Sequence, residues 1–250
     1  MHQTDLYSSY DQRWKILSGS WLKLLAMVSM TIDHTAQHVF YHLSSLNAPL
    51  FTLGNRPFSC VLLMVCFGRL AFPLFAFLAV EGFIHTRDFR KYSLNLLLFA
   101  LLSVIPWHLI RYGCMFSLRS QNVLFTLLLG ILSLDAVRRW ENGQITAFRL
   151  LISMLTLLIT ADLLHTDYGA RGLAFILAIY ILRHKPALQA TIGWCLLPFR
   201  WVAAIAFIPM NMYNGRRGFI QGAVSKYAFY AFYPLHLLVL YYFQCRVISA

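Results

Sequence analysis

The chain alternates long apolar runs with short polar connections. Runs of about twenty mainly apolar residues, the length a helix needs to cross a bilayer, fall near 21–42, 61–84, 91–111, 121–138, 146–164, 169–183, 188–210 and 226–245. These runs are continuous and lack the two-residue alternation of a membrane β-barrel. The pattern predicts an all-α polytopic membrane protein, a bundle of about eight transmembrane helices forming one domain over 21–246 behind a polar cytoplasmic segment at 1–20. The stretch 188–210 carries Pro198, Arg200 and Pro209, and two topologies are open for it. Either it spans, or it is re-entrant, which makes the following loop cytoplasmic and leaves the C-terminus outside.

Composition strengthens this picture. Hydrophobic residues make up 59% of the 250 and charged residues 12%, against about a quarter charged in soluble domains. The net charge of +12 sits in short connections and forms no continuous basic surface, so the expected partner is the lipid bilayer and not nucleic acid. With the N-terminus inside and eight spans, twelve Lys and Arg residues fall on the inner side and seven on the outer. That bias has the sense of the positive-inside rule for a multi-pass protein of the cytoplasmic membrane. Arg216, Arg217 and Lys226 run against it. The five cysteines show no CxxC pairing or metal-ligand spacing.

Charges at membrane depth are costly and face a bundle interior or a wet cavity. Lys23 and His34 are eleven residues apart, which returns them to one helix face roughly 16 Å apart along the axis. Counting depth from each span end pairs Asp33 with Arg69 in the deeper layer and Glu81 with Lys23 at the inner rim, since buried charges need partners. Asp33 and His34 are neighbours separated by about 100° on the helix, so their tasks differ. His34, His38 and His42 recur every four residues, but no carboxylate or cysteine cluster completes a ligand set, and no metal is expected. His236 lies about 15 Å into the last span, beside Pro234, which loosens the backbone there. Asn122 and Tyr168 are polar residues at span ends. Arg87, Arg90 and Lys91 supply positive charge on the inner side.

Three motifs in order are diagnostic together: Lys23 through Asp33-His34; Gly68-Arg69-Leu70-Ala71-Phe72-Pro73-Leu74-Phe75; and Tyr213-Asn214-Gly215-Arg216-Arg217-Gly218 leading to Phe232-Tyr233-Pro234-Leu235-His236. Over nearly the whole chain they resemble the TraX family, multi-pass proteins named for the acetylase of conjugative F-pilin. That family is distantly similar to the transmembrane acyltransferases, whose first helix carries a basic residue, ten intervening residues and a histidine used in acyl transfer. Lys23 stands where arginine is usual, which keeps the charge and loses the bidentate fork.

The resemblance implies an acetyl-CoA-dependent acetyltransferase that takes the acyl group from cytoplasmic acetyl-CoA. The acceptor is in or across the membrane, such as a pilin N-terminus or a glycan, and is not identified by the resemblance. On that reading His34 carries the acyl group or acts as base, in a cavity between the first two spans and the last. Arg69 stabilises charge on the thioester oxygen, with Asp33 as its partner, and His236 takes the acceptor's proton. Lys23, Glu81, Arg87, Arg90, Lys91, Asn122, Tyr168, Tyr233, Arg216 and Arg217 are the candidates for donor binding. The rival classes are a transporter or flippase and a non-catalytic subunit of a conjugation or secretion assembly.

Overall fold

A computed structural model describes residues 14–197 and 200–249. Most of the N-terminal segment, with Arg13, and Pro198 lie outside them. The described chain is mostly helical. Helix α1 (Gly19–His38) is followed by a 3₁₀ turn (Phe40–His42), a short α2 (Ser44–Asn47) and a hairpin of β1 (Pro49–Leu53) and β2 (Arg56–Ser59) that the apolar pattern does not predict. Gly54, at φ 60°, opens its two-residue turn, the conformation primed hairpin turns favour.

The predicted second span is two helices, α3 (Cys60–Gly68) and α4 (Ala71–His85), and the third is α5 (Phe89–Leu102) and α6 (Val104–Tyr112). Each break lies at or beside the fourth residue before a proline. A proline ring removes one N–H and collides with the carbonyl four residues back: Arg69 for Pro73, and Leu102, next to the break at Ser103, for Pro106. The first break is held by α1. The Ser29 hydroxyl donates to the carbonyls of Phe67 and Gly68, at 2.9 and 3.0 Å, satisfying acceptors that the end of a helix leaves open. Gly68 has no Cβ, and one built there would overlap Asp33.

The chain continues through α7 (Val123–Glu141), α8 (Ala147–Leu163) and α9 (Gly169–Ile181). Among the described residues, two stretches, Cys60–His85 and Phe89–Tyr112, are long and apolar enough to cross a membrane. Leucine and isoleucine side chains are exposed in a stripe along α5 and α6 (Leu94, Leu98, Leu101, Ile105) and another along α8 (Leu151, Leu155, Ile159). Soluble monomers rarely leave such apolar patches open to water.

The seventh expected span is not one helix. It is a hairpin of α10 (Pro186–Leu196) and α11 (Arg200–Asn211), with Leu197 extended between them. α10 starts where α9 finishes, with Gln189 donating to the Ile179 carbonyl at 2.9 Å. α11 finishes where α1 begins, because the Leu17 N–H bonds the Met212 carbonyl at 2.9 Å. Both helices open on one end of the bundle, where Tyr180 of α9 also meets Phe83 of α4, so the stretch turns back on itself instead of crossing the bundle once. The last helix, α12 (Ala223–Ile248), starts from that end and runs to the other, packing on α6. Of the eight continuous spans expected, three are thus broken, and α12 ends opposite the start of α1.

Gly68→Val is expected to force α3 off α1 and destabilise the protein by about 1–3 kcal/mol, the usual cost of overpacking. Thermal unfolding in detergent, compared with wild type, checks this.

Candidate functional site

One face of α1 organises the site. Gly19, Lys23, Met27 and Met30 line a cavity of about 920 Å³, and His34 is the next residue on that stripe. From the facing helix, Lys226, Phe229, Phe232 and Tyr233 line the same cavity, and His236 is the next position beyond them. The mouth is cationic, with Lys23, Arg87, Arg217 and Lys226, and Glu81 as a carboxylate. Towards the interior the walls become apolar and aromatic.

A glycine-rich strap, 213–222, forms part of the mouth. It is stitched to the start of α1 by backbone bonds from Gly19 to Arg216, Ser20 to Arg217 and Asn214 to Leu17, at 2.8–3.0 Å. The Ser20 hydroxyl donates to the Arg217 carbonyl at 2.9 Å and accepts from the Ile220 N–H at 2.8 Å. Gly218, at φ 85°, lies so close to Ser18 and Ser20 that a Cβ would collide with their hydroxyls.

Just beyond the cavity, His34 Nδ1 is 2.9 Å from His236 Nε2, and His236 Nδ1 is 2.9 Å from the Phe232 carbonyl. Trp107 and Tyr233 lie 6.2 and 6.5 Å from the His34 ring, centre to centre. The His34 side chain keeps part of its surface accessible, whereas His236 is buried. An imidazole so placed is able to accept a proton or carry an acyl group.

Further towards the opposite end, Arg69 Nε is 3.8 Å from Asp33 Oδ1, the pairing expected from depth, and the Gln37 amide donates to the other Asp33 oxygen. Arg69 also reaches the Tyr168 hydroxyl, whose ring stacks on Phe72 at 3.6 Å. Two neighbours of this group were missed in the sequence. Asp167 interacts electrostatically with Arg69 and Arg111, and Arg111 sits 5.0 Å over the Trp107 ring. Asp167 lies in the loop before α9 and Arg111 in the last turn of α6, positions that no periodic pattern reports, and a left-handed non-glycine residue close to Asp167, His165 at φ 48°, marks a constrained turn.

Other expectations are corrected. Glu81 does not pair with Lys23: it lies 3.4 Å from His85 and accepts from Tyr213, while Lys23 sits 5.4 Å over the Phe229 ring. Burial and the Glu81 carboxylate push the Tyr213 phenol up to about 12, so it stays protonated as the donor. Asn122 caps α7 through the Leu124 N–H at 3.1 Å and donates to the Ala100 carbonyl at 2.9 Å, and it does not itself line the cavity. Arg90 lines a separate surface pocket of about 510 Å³ with Arg138 and Arg139. Lys91 and Arg216 are exposed and line neither cavity. His38 approaches His34 at 6.0 Å, but His42 lies against Tyr41.

The molecule is thus a helical protein with a histidine pair next to the inner wall of a cation-mouthed cavity. The model of the family described as TraX protein matches residues 18–244, and the chain belongs to the TraX family. It is similar to the probable fimbrial assembly protein FimC, serogroup H1, of Dichelobacter nodosus, at 31% identity over 250 residues, covering 88% of this chain and 92% of that protein. No solved structure matches the chain.

The geometry separates binding from scaffolding candidates. The Tyr233 hydroxyl is buried with only a weak contact to the Val123 backbone among the described residues, so Tyr233→Phe is expected to change the unfolding midpoint little. Asn122→Ala, which removes a cap and an interhelical bond, is expected to cost about 1–2 kcal/mol. Parallel thermal melts in one detergent check both.

Proposed function

We propose that this protein is an integral, multi-pass membrane acyltransferase that takes an acetyl group from cytoplasmic acetyl-CoA and passes it to an acceptor reached from the opposite end of the bundle. One observation carries the reading: the cavity whose mouth holds Lys23, Arg87, Arg217 and Lys226 runs along α1 and α12 to the residues next to His34 and His236. Its volume suits a sizeable small molecule. The cationic mouth suits the phosphates of coenzyme A, and the apolar and aromatic inner walls suit the pantetheine arm.

In this reading His34 receives the acyl group or removes the acceptor's proton. Arg69, held by Asp33, supplies a fixed positive charge for the thioester oxygen, a contribution that grows when water is excluded. The acceptor approaches past Asp33, Arg69, Arg111 and Asp167. The name of the fimbrial assembly relative favours a pilus or fimbrial component as acceptor, with a glycan as the alternative.

The re-entrant hairpin supports the orientation. It moves Arg216, Arg217 and Lys226 to the end where α1 begins and Arg246 to the other. The inner count of Lys and Arg rises from twelve to fourteen and the outer falls from seven to five, so the positive-inside bias strengthens with the first end cytoplasmic. Broken helices and a re-entrant hairpin also occur in transporters. Substrate flux in proteoliposomes without an acyl donor would favour that second reading.

Purified protein given radiolabelled acetyl-CoA and membrane extract is expected to transfer label, and His34→Ala to lower the rate by about 10²–10⁴-fold. Full activity in that variant overturns the reading. In a background lacking the native cysteines, Leu118→Cys and Ser249→Cys are expected to react with a membrane-impermeant maleimide on intact cells, and Gln221→Cys only after lysis. Labelling of Gln221→Cys from outside overturns the orientation.

A further inference from the structure

Both ring nitrogens of His236 are engaged, and together they determine where the protons of the pair lie. Nδ1 faces the Phe232 carbonyl at 2.9 Å, and a carbonyl only accepts, so this nitrogen carries hydrogen. A neutral imidazole has one N–H, which leaves His236 Nε2 as a bare lone pair. His34 Nδ1, 2.9 Å away, must therefore donate to it. The one remaining nitrogen, His34 Nε2, is then unprotonated. The opposite tautomer of His34 would oppose two lone pairs in a buried site, where an unmade hydrogen bond is costly.

Ring geometry agrees. The two ring planes are 6° apart and the centres 5.2 Å apart. An imidazole nitrogen lies about 1.2 Å from its ring centre, as bonds near 1.3–1.4 Å require, so the N···N distance plus two such radii accounts for the whole separation. The rings meet end to end, with N–H and lone pair aligned, and are not stacked face to face. Phe232, parallel to His236 within 7° at 5.0 Å, and Tyr233, at 5.5 Å, hold the plane.

We propose that His236 is a positioning residue that fixes His34 as the Nδ1–H tautomer, makes Nε2 the reacting nitrogen, and takes the Nδ1 proton when Nε2 forms a bond. The assignment rests on the acyltransferase reading and replaces the expectation that His236 deprotonates the acceptor. Nε2 of His34 attacks the thioester carbonyl carbon, the C–S bond breaks, and its electron pair leaves on the coenzyme A thiolate. The acyl-imidazolium formed at His34 passes its Nδ1 proton to His236 Nε2, so that His236 becomes the cation with both N–H groups satisfied. The acceptor then attacks the acyl carbon and the N–acyl electron pair returns to His34, which recovers its proton from His236. The acceptor's own proton goes to water, and the thiolate takes one from water.

The test uses full-length protein in lipid bilayers, labelled with ¹⁵N-histidine, with the His34 signals assigned by their loss in His34→Gln. Solid-state NMR is expected to show a protonated, pyrrole-type Nδ1 and a bare, pyridine-type Nε2 for His34. His236→Phe is expected to convert the His34 signals to a mixture of tautomers and to reduce acetyl transfer by about 10²-fold or more, because the Nδ1 proton also loses its acceptor. His236→Gln, whose amide oxygen still accepts from Nδ1–H, is expected to keep the wild-type His34 tautomer and to be less impaired than His236→Phe. A protonated Nε2 on His34 in wild type overturns the proposal even if no His236 variant folds. So does wild-type transfer by a folded His236→Phe. Absence of any transfer by wild-type protein instead defeats the acyltransferase reading, and the tautomer then stands or falls on the spectra alone.

Discussion

The backbone hydrogen bonds that tie Leu17, Gly19 and Ser20 to Met212, Asn214, Arg216 and Arg217 are the constraint on which the site depends. They give the first and last long helices a common starting level. From Gly19 to His34 is fifteen residues and from Ala223 to His236 is thirteen, which at about 1.5 Å per residue places the two imidazoles roughly 22 and 20 Å above their helix starts. Residues 202 positions apart in sequence therefore arrive at one height, within hydrogen-bonding distance of each other. The strap's glycines allow the close approach, and Ser20 holds it by acting as both donor and acceptor.

The arrangement divides the interior by chemistry. Below the histidine pair, the cavity has a cationic mouth and aromatic walls. Above it lies a mixed-charge group in which Asp33 and Asp167 face Arg69 and Arg111. The two regions suit different molecules. On the acyltransferase reading, the pair of imidazoles between them stands where an activated group would pass from one region to the other.

Much of this was legible in the sequence, and the exceptions have physical reasons. Helical periodicity placed Lys23 and His34 on one face, and the cavity follows that stripe. Depth counting paired Asp33 with Arg69 because both positions are measured along helices from nearby boundaries. The same counting failed for Glu81 and Lys23, since Tyr213 comes from a distant strap whose side of the bundle depended on the unresolved choice for 188–210. The breaks at Arg69 and Ser103 were written in Pro73 and Pro106, four and three residues downstream, but an apolar run reads as continuous when only hydropathy is followed. Asp167 and Arg111 join the group through loop and helix-end positions, which no periodic pattern reports. TraX membership was carried by three short motifs spread along the chain, and the family match covers residues 18–244.

Because α12 supplies half of the imidazole pair and one wall of the chamber, the pair forms only once α1 and α12 have both been made and have packed together. α1 emerges first, with its histidine lacking the partner that orients it. On the acyltransferase reading, activity thus depends on α1 and α12 packing together, and a fragment lacking α12 is expected to be inactive.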